Sequence, residues 1–213
     1  MTREKLSKIA EPWLGSFRRE LDLAIADSKT VLDVGCGSNS PLGLLGKRFV
    51  RSVGVDGFAP SLEMSAAKKI HDEYVQANIL ELDSKFQPNS FDCAIAIDVI
   101  EHLEKSKGLE FMQKMEQIAS NRIVLVTPNG FQPQAEHSGN LYQRHLSGWT
   151  AEEMRGMGYK VIGLNGWKPL RGEFAMPRFY PKILCSALSR LSQPLVRNHP
   201  EHAFHLLCIK EKS

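Results

Sequence analysis

A chain of 213 residues, 42% of them hydrophobic, is long enough to bury one sizeable core and short for two, so a single domain over residues 1–213 is expected. The net charge of +3 is small, and basic pairs such as Arg18-Arg19, Lys47-Arg48 and Lys68-Lys69 are scattered, which gives no footprint for nucleic acid. Cys36, Cys93, Cys185 and Cys208 lie far apart with no C-x-x-C pair, against a zinc ribbon or a disulfide framework and in favour of a reducing, cytoplasmic setting.

The start, MTREKLSKIAEPW, is charged, and the strongest apolar run, Cys93 to Ile100, is broken by Asp98; neither a secretory signal nor a membrane span is expected. Residues 1–28 read as a helical preface. Short β-branched runs then alternate with helix-like segments: strands over Thr30 to Val34, Arg51 to Val55, Tyr74 to Asn78, Phe91 to Ile97 and Arg122 to Thr127, and helices over Leu42 to Phe49, Ser61 to Ile70 and Glu104 to Ala119. Leu109, Met112, Met115 and Ile118 supply the apolar spacing of the last helix. Such alternation implies parallel strands with helical crossovers. Residues 129–149 form a long loop, rich in polar, aromatic and histidine side chains, of the kind that carries function. Thr150 and Glu153 have the spacing of a capping box, so a helix starts there and ends by Gly158. Strands over Lys160 to Leu164 and Ala203 to Lys210 complete an array of seven, with a helical insertion at 177–200 between them.

The most informative segment is VLDVGCG, residues 31–37, a buried strand that turns on Gly35 and Gly37. Without Cβ atoms such a turn brings backbone and its amides close to a ligand. A nicotinamide fingerprint would want a third glycine where Ser40 stands. The next strand, RSVGVDGF, ends in Asp56, whose carboxylate can accept hydrogen bonds from both hydroxyls of a ribose. The third ends in Asn78-Ile79, an amide able to read an adenine edge and a side chain able to pack on the ring. The fourth, FDCAIAIDVIEHL, places Asp98 and Val99 at the carboxyl edge, where open α/β sheets hold ligands.

VLDVGCG, VGVDG, FDCAIAIDVIEHLEK and IVLVTPNG together resemble, in order and spacing, the successive motifs of class I S-adenosylmethionine methyltransferases, within the group that carries the E-H-L signature. The resemblance covers residues 30–130 well and the remainder weakly. It implies a Rossmann-like α/β fold, a seven-stranded, mostly parallel sheet with an antiparallel last strand and helices on both faces, and S-adenosylmethionine as cofactor. It also implies that Asp33, Gly35 and Gly37 surround the amino acid moiety, Asp56 with Gly57 holds the ribose, Asn78 and Ile79 hold adenine, and Asp98 and Val99 line the cofactor. One departure is Asn78, where the family usually has Asp.

Methyl transfer is an in-line displacement, so alignment matters most, and a hydroxyl nucleophile also needs a base. His102 follows the fourth strand, while His137 and His145 sit in the long loop that leaves the same edge. His145 is the first choice, with Tyr142, Arg144 and Trp149 as pocket wall. Asp98, Glu101 and His102 form a D-x-x-E-H cluster similar to the E-x-x-E-H metal site of ubiquinone-biosynthetic O-methyltransferases; against it, a glutamate in a first helical turn is ordinary helix-start chemistry, and no metal is assigned. The N-P-P-Y type motif of amide and base methylators is absent from Asp98-Val99-Ile100-Glu101. A small-molecule acceptor methylated on oxygen is therefore expected, with no nucleic acid partner. A quinone or lipid-intermediate methyltransferase and a catalytically silent S-adenosylmethionine-binding partner subunit are the alternatives. In 177–200, Arg178, Lys182, Ser186 and Arg190 recur every fourth residue while Phe179, Ile183, Ala187, Leu188 and Leu191 mark another face, an amphipathic helix that by default covers the core or cleft and otherwise makes peripheral membrane contact through 177–197.

Overall fold

In a computed structural model, which describes residues 17–46, 49–134, 141–172 and 175–212, the seven expected strands join one sheet. They are β1 (Thr30–Val34), β2 (Arg51–Asp56), β3 (Glu73–Gln76), β4 (Phe91–Ile97), β5 (Ala119–Pro128), β6 (Lys160–Trp167) and β7 (Ala203–Glu211). The order is β3-β2-β1-β4-β5-β7-β6. Strands β1 to β5 pair in parallel, and β7 runs antiparallel to both β5 and β6. The order reverses at β1, which has β2 on one side and β4 on the other, and a crevice at such a switch point is where ligands bind.

The central strands are apolar on both faces because helices cover both. Ala94 and Ala96 of β4 join one core with Leu32, Phe111, Met115 and Trp149; the intervening Cys93 and Ile95 join the other with Leu21, Ile25, Val31 and Val124. Helix α1, described over residues 17–25, supplies that second core; the earlier part of the preface lies outside the described residues. Helices α2 (Ala59–Ala67), α3 (Lys105–Ile118) and α4 (Ala151–Gly156) follow the expected order. The Thr150–Glu153 capping box forms in both directions.

Several expectations change in detail. The helix over Leu42 to Phe49 reduces to a 3-10 turn, Pro41–Leu44, in a segment that holds Gly43 and then Gly46 at φ +73°. On α3 the buried stripe runs through Gly108, Phe111, Met112, Met115 and Ile118, and Leu109 faces out. Gly108 accounts for this, since a Cβ there would lie 2.5 Å from Trp149 Cζ2. Trp149 is thus core, not pocket wall: it is fully buried and its Nε1 donates to Ile100 O. Residues 177–200 hold two helices, α5 (Lys182–Leu191) and α6 (Gln193–Asn198), with Pro194 in the first turn of the second. The side chains that α5 buries are Cys185, Ser186 and Ser189, and its apolar face points outward. The default expectation that this face covers the core is overturned: Gly166 lets α5 approach so closely that a Cβ there would be 2.1 Å from Ser189 O, which selects small residues for the contact.

Candidate active site

The carboxyl ends of β1, β4 and β5 and the amino end of the antiparallel β7 enclose a cavity of about 520 Å³, within the range of small-molecule sites. Its floor comes from the turn after β1. Gly35 and Gly37 have φ +70° and +56°, values that favour glycine. The Gly35 and Cys36 amides donate to Val55 O, and the Gly37 amide donates to Asp56 Oδ2 at 2.8 Å. A Cβ on Gly37 would meet nothing within 4 Å, whereas one on Gly35 would lie 2.5 Å from Val99 Cγ2. Gly37 therefore borders open space, and Gly35 is packed on Val99. Asp33, almost fully buried in the cavity wall, is fixed from two sides: its Oδ2 accepts from Ser40 Oγ and lies 2.8 Å from His71 Nε2. Gly54 makes room for that histidine, since a Cβ there would be 2.8 Å from His71 Nδ1.

Of the residues expected around a cofactor, Asp33, Gly35, Gly37 and Asp98 line this cavity. Asp56, Gly57, Asn78 and Ile79 stand along the adjoining edge at the ends of β2 and β3, outside the cavity wall. Asp56 Oδ1 accepts from Phe58 N, and Tyr142 of the long loop approaches Gly57. Asn78 is exposed and its Oδ1 accepts from Leu80 N at 3.0 Å, capping a 3-10 turn over Ile79–Ser84; Ile79 packs on the first core. Val99 is buried.

The part of the lining that follows β4 carries most of the titratable groups. Asp98 stands at φ +53°, a left-handed conformation that aspartate tolerates. Burial in the cavity wall raises its carboxyl, an effect that water in the cavity reduces because 54% of the side chain is open. Glu101 is 2% exposed; burial and the Asp98 charge push its carboxyl well above the usual range. Its Oε2 accepts from Thr127 Oγ1 at 2.9 Å, and its Oε1 has no hydrogen-bond partner among the described residues. The long loop returns onto this point, the Leu146 and Ser147 amides donating to Glu101 O. That brings His145 beside His102, ring centroids 4.8 Å apart. His145 Nδ1 donates to Gln132 O at 2.6 Å and His102 Nδ1 to Arg144 O at 3.1 Å, which leaves Nε2 of each ring for other work. Burial lowers the His102 pKa, and the Arg144 carbonyl opposes this. His137 lies outside the described residues.

His205 was not among the expected residues. It lines the cavity from β7, its Nδ1 facing the Asn165 amide and its Nε2 3.6 Å from Asp98 Oδ1. Burial, with Arg171 and His145 adding, pushes its pKa down to about 3. A histidine inside the otherwise apolar run AFHLLCI is the signal that marks it.

Residues 32–122 match the family described as the methyltransferase domain. No curated protein of similar sequence is found. Among solved structures, the fold is similar to an S-adenosylmethionine-dependent methyltransferase from Archaeoglobus fulgidus, at TM-score 0.62 and 16% identity over 95% of this chain and 94% of that one. It is similar to the methyltransferase of Haloferax volcanii solved with the Trm112 activator, at TM-score 0.63 and 14% identity over 97% and 93%. It is also similar to magnesium protoporphyrin IX methyltransferase from Synechocystis with bound S-adenosylmethionine, at TM-score 0.56 and 13% identity over 99% and 83%.

Proposed function

We propose that this chain, whose residues 32–122 match the methyltransferase domain family, uses S-adenosylmethionine to methylate a hydroxyl of a small-molecule acceptor seated against Glu101, His102 and His145. The observation that carries the reading is that corner: two imidazoles, each with Nδ1 held by a carbonyl, converge with a buried carboxyl group on the cavity that the Gly35–Gly37 turn floors. The turn fits the cofactor, since Gly37 borders open space and both Asp56 oxygens keep lone pairs beyond the amides that fix them. On this reading Asp33, Gly35 and Gly37 hold the amino acid moiety, Asp56 and Gly57 the ribose, Asn78 and Ile79 the adenine, and Asp98 and Val99 the adjoining wall. Asn78 uses its oxygen as a cap, so it serves adenine through that oxygen's second lone pair or through its amide hydrogens.

When bound, S-adenosylmethionine supplies a methyl group on a positive sulfur. The methyl–sulfur bond breaks as the oxygen–methyl bond forms, and the hydroxyl proton leaves towards the histidine corner. Alignment contributes up to about 7–11 kcal/mol and proton removal about 10²- to 10⁴-fold. A hydroxyl-acceptor screen that measures S-adenosylhomocysteine tests this: acceptor-dependent product supports it, while cofactor binding without turnover on any acceptor points to a silent partner subunit. The four free, buried cysteines fit a cytoplasmic location.

A lipid-intermediate acceptor is favoured by α5. Ile183, Leu184, Leu188 and Leu191 are 47–76% exposed and share one helical face with Leu195 beyond it. The Cys185 thiol donates to Leu170 O and Arg171 donates to Ser189 Oγ, which ties α5 to the segment that contributes Gly172 and Ala175 to the cavity. Among the described residues no helix is long and apolar enough to cross a membrane, so this face would lie on an anionic bilayer surface. Loss of vesicle binding in Leu188→Glu supports this reading; no binding by the unaltered chain ends it.

A further inference from the structure

We infer that Glu101, His102 and His145 form a site for one divalent first-row transition-metal ion. One ligand atom from each residue lies within 4.8 Å of the others. A tetrahedral ion about 2.1 Å from each ligand holds the ligand atoms about 3.4 Å apart, so the side chains would close by up to about 1.4 Å around it, a shift within reach of side-chain rotation. The donor set is one carboxylate and two imidazoles, which suits manganese, iron, cobalt or zinc better than magnesium or calcium.

Three features prepare the site. Glu101 Oε1 is buried without a hydrogen-bond partner among the described residues, a costly arrangement for a carboxylate that a cation relieves. Both histidines donate Nδ1–H to backbone carbonyls, the outer contact that fixes the tautomer and turns Nε2 into the ligand atom. Thr127 Oγ1 donates to the other Glu101 oxygen, a second contact of that kind, which holds the carboxylate plane. Burial and Asp98 raise the Glu101 carboxyl, and a cation would reverse that by favouring the charged form. Three protein ligands leave positions open to the cavity; with both Nε2 atoms on the ion, the rings no longer take the proton, and an acceptor hydroxyl bound to the ion would lose it to solvent and attack the methyl group as the methyl–sulfur bond breaks. That role rests on the hydroxyl-acceptor reading; the binding of the ion does not.

The test uses the full-length, untagged, chelator-stripped chain and Co²⁺ alone, followed by calorimetry and visible absorption. One ion per chain is expected. Glu101→Gln and His145→Ala should each weaken binding by at least the ~10- to 100-fold that loss of an orienting partner costs, and Thr127→Val, which keeps side-chain volume, by about 10-fold. His199→Gln, at an exposed position, should leave binding unchanged. Absence of Co²⁺ binding, or equal binding in Glu101→Gln, His145→Ala and Thr127→Val, overturns the inference. A thermal shift with S-adenosylhomocysteine separates the two readings. If it persists without Co²⁺ binding, the metal inference fails alone and the corner works as bare imidazole. If Co²⁺ binds as expected without any such shift, the cofactor reading fails and the metal site stands.

Discussion

The Gly37 amide donates to Asp56 Oδ2 at 2.8 Å across 19 positions of sequence, joining the turn after β1 to the end of β2. Asp56 Oδ1 meanwhile accepts from the Phe58 amide. One carboxylate thus orients two backbone turns and still has acceptor directions for a ribose. Asp56→Ala should weaken S-adenosylhomocysteine binding by ~1–3 kcal/mol, about 5- to 150-fold, since both amides lose their partner. Asp56→Asn keeps one oxygen and should lose clearly less. Equal, near-native affinities by calorimetry would reduce Asp56 to a cap of the turn.

Gly35 and Val99 form a second coupled pair. A Cβ on Gly35 would overlap Val99 Cγ2 at 2.5 Å, and φ is +70°. Gly35→Ala should therefore destabilise the chain by about 1–2 kcal/mol for the backbone alone, with the overlap added. Adding Val99→Ala removes the overlap and leaves the backbone cost, so the double variant should be less destabilised than the sum of the two single variants. Simple additivity in urea unfolding would show that the contact does not matter.

What was legible in the sequence follows from the range of the forces involved. The β-branched runs of β1, β2 and β4 and the capping box at Thr150 are local patterns, and all form where expected. Strand β6, expected to end at Leu164, runs on to Trp167 through Asn165 and Gly166, both at φ +71°, with a register shift against β7 between Leu164 and Trp167; the antiparallel neighbour that sustains this extension is remote in sequence. The outward turn of α5 was hidden for a related reason. Periodicity reports that a helix has an apolar face, while the close packing of Gly166 on Ser189, where a Cβ would lie 2.1 Å from the carbonyl oxygen, decides which face is buried. At the site, Asp33, Gly35, Gly37 and Asp98 were legible as motif residues. The His71 contact that fixes Asp33 spans 38 positions and has no local signature.

His205 makes stability depend on pH in a calculable direction. Its pKa is about 3 in the folded chain, pushed down by burial with Arg171 and His145 adding, and about 6.5 when unfolded. Between these values the unfolded state binds the proton and the folded state does not, so stability is full above about pH 6.5 and falls as pH drops towards 3. The slope approaches ~1.4 kcal/mol per pH unit, moderated by Asp98, 3.6 Å from Nε2, which favours the charged ring. Protonation would also cost Nδ1 its role as acceptor for the Asn165 amide. His205→Gln should flatten this part of the profile in urea unfolding at pH 4–7; an unchanged slope would place the titration elsewhere.

The remaining prediction concerns the proton. His145 and His102 stand ring against ring at 4.8 Å, and both line the cavity that Gly35 and Gly37 also line. His145→Ala should leave S-adenosylhomocysteine affinity nearly unchanged, because the turn proposed to hold the cofactor follows β1, is tied to Asp56 of β2 and shares no hydrogen bond with this ring among the described residues. Turnover on a hydroxyl acceptor should fall by about 10²-fold or more. It should recover in part at higher pH, where the acceptor ionises without help. His102→Ala should behave alike if the two rings act as one unit, and the double variant should then cost little more than either single one. Because His145 also anchors the returning loop through Gln132 O, His145→Gln belongs beside it as a less disruptive replacement; a purely structural histidine would lower the melting temperature and leave the pH profile of the remaining activity unchanged. Full turnover in every one of these variants would mean that the enzyme works by alignment alone and that the corner has no part in moving the proton.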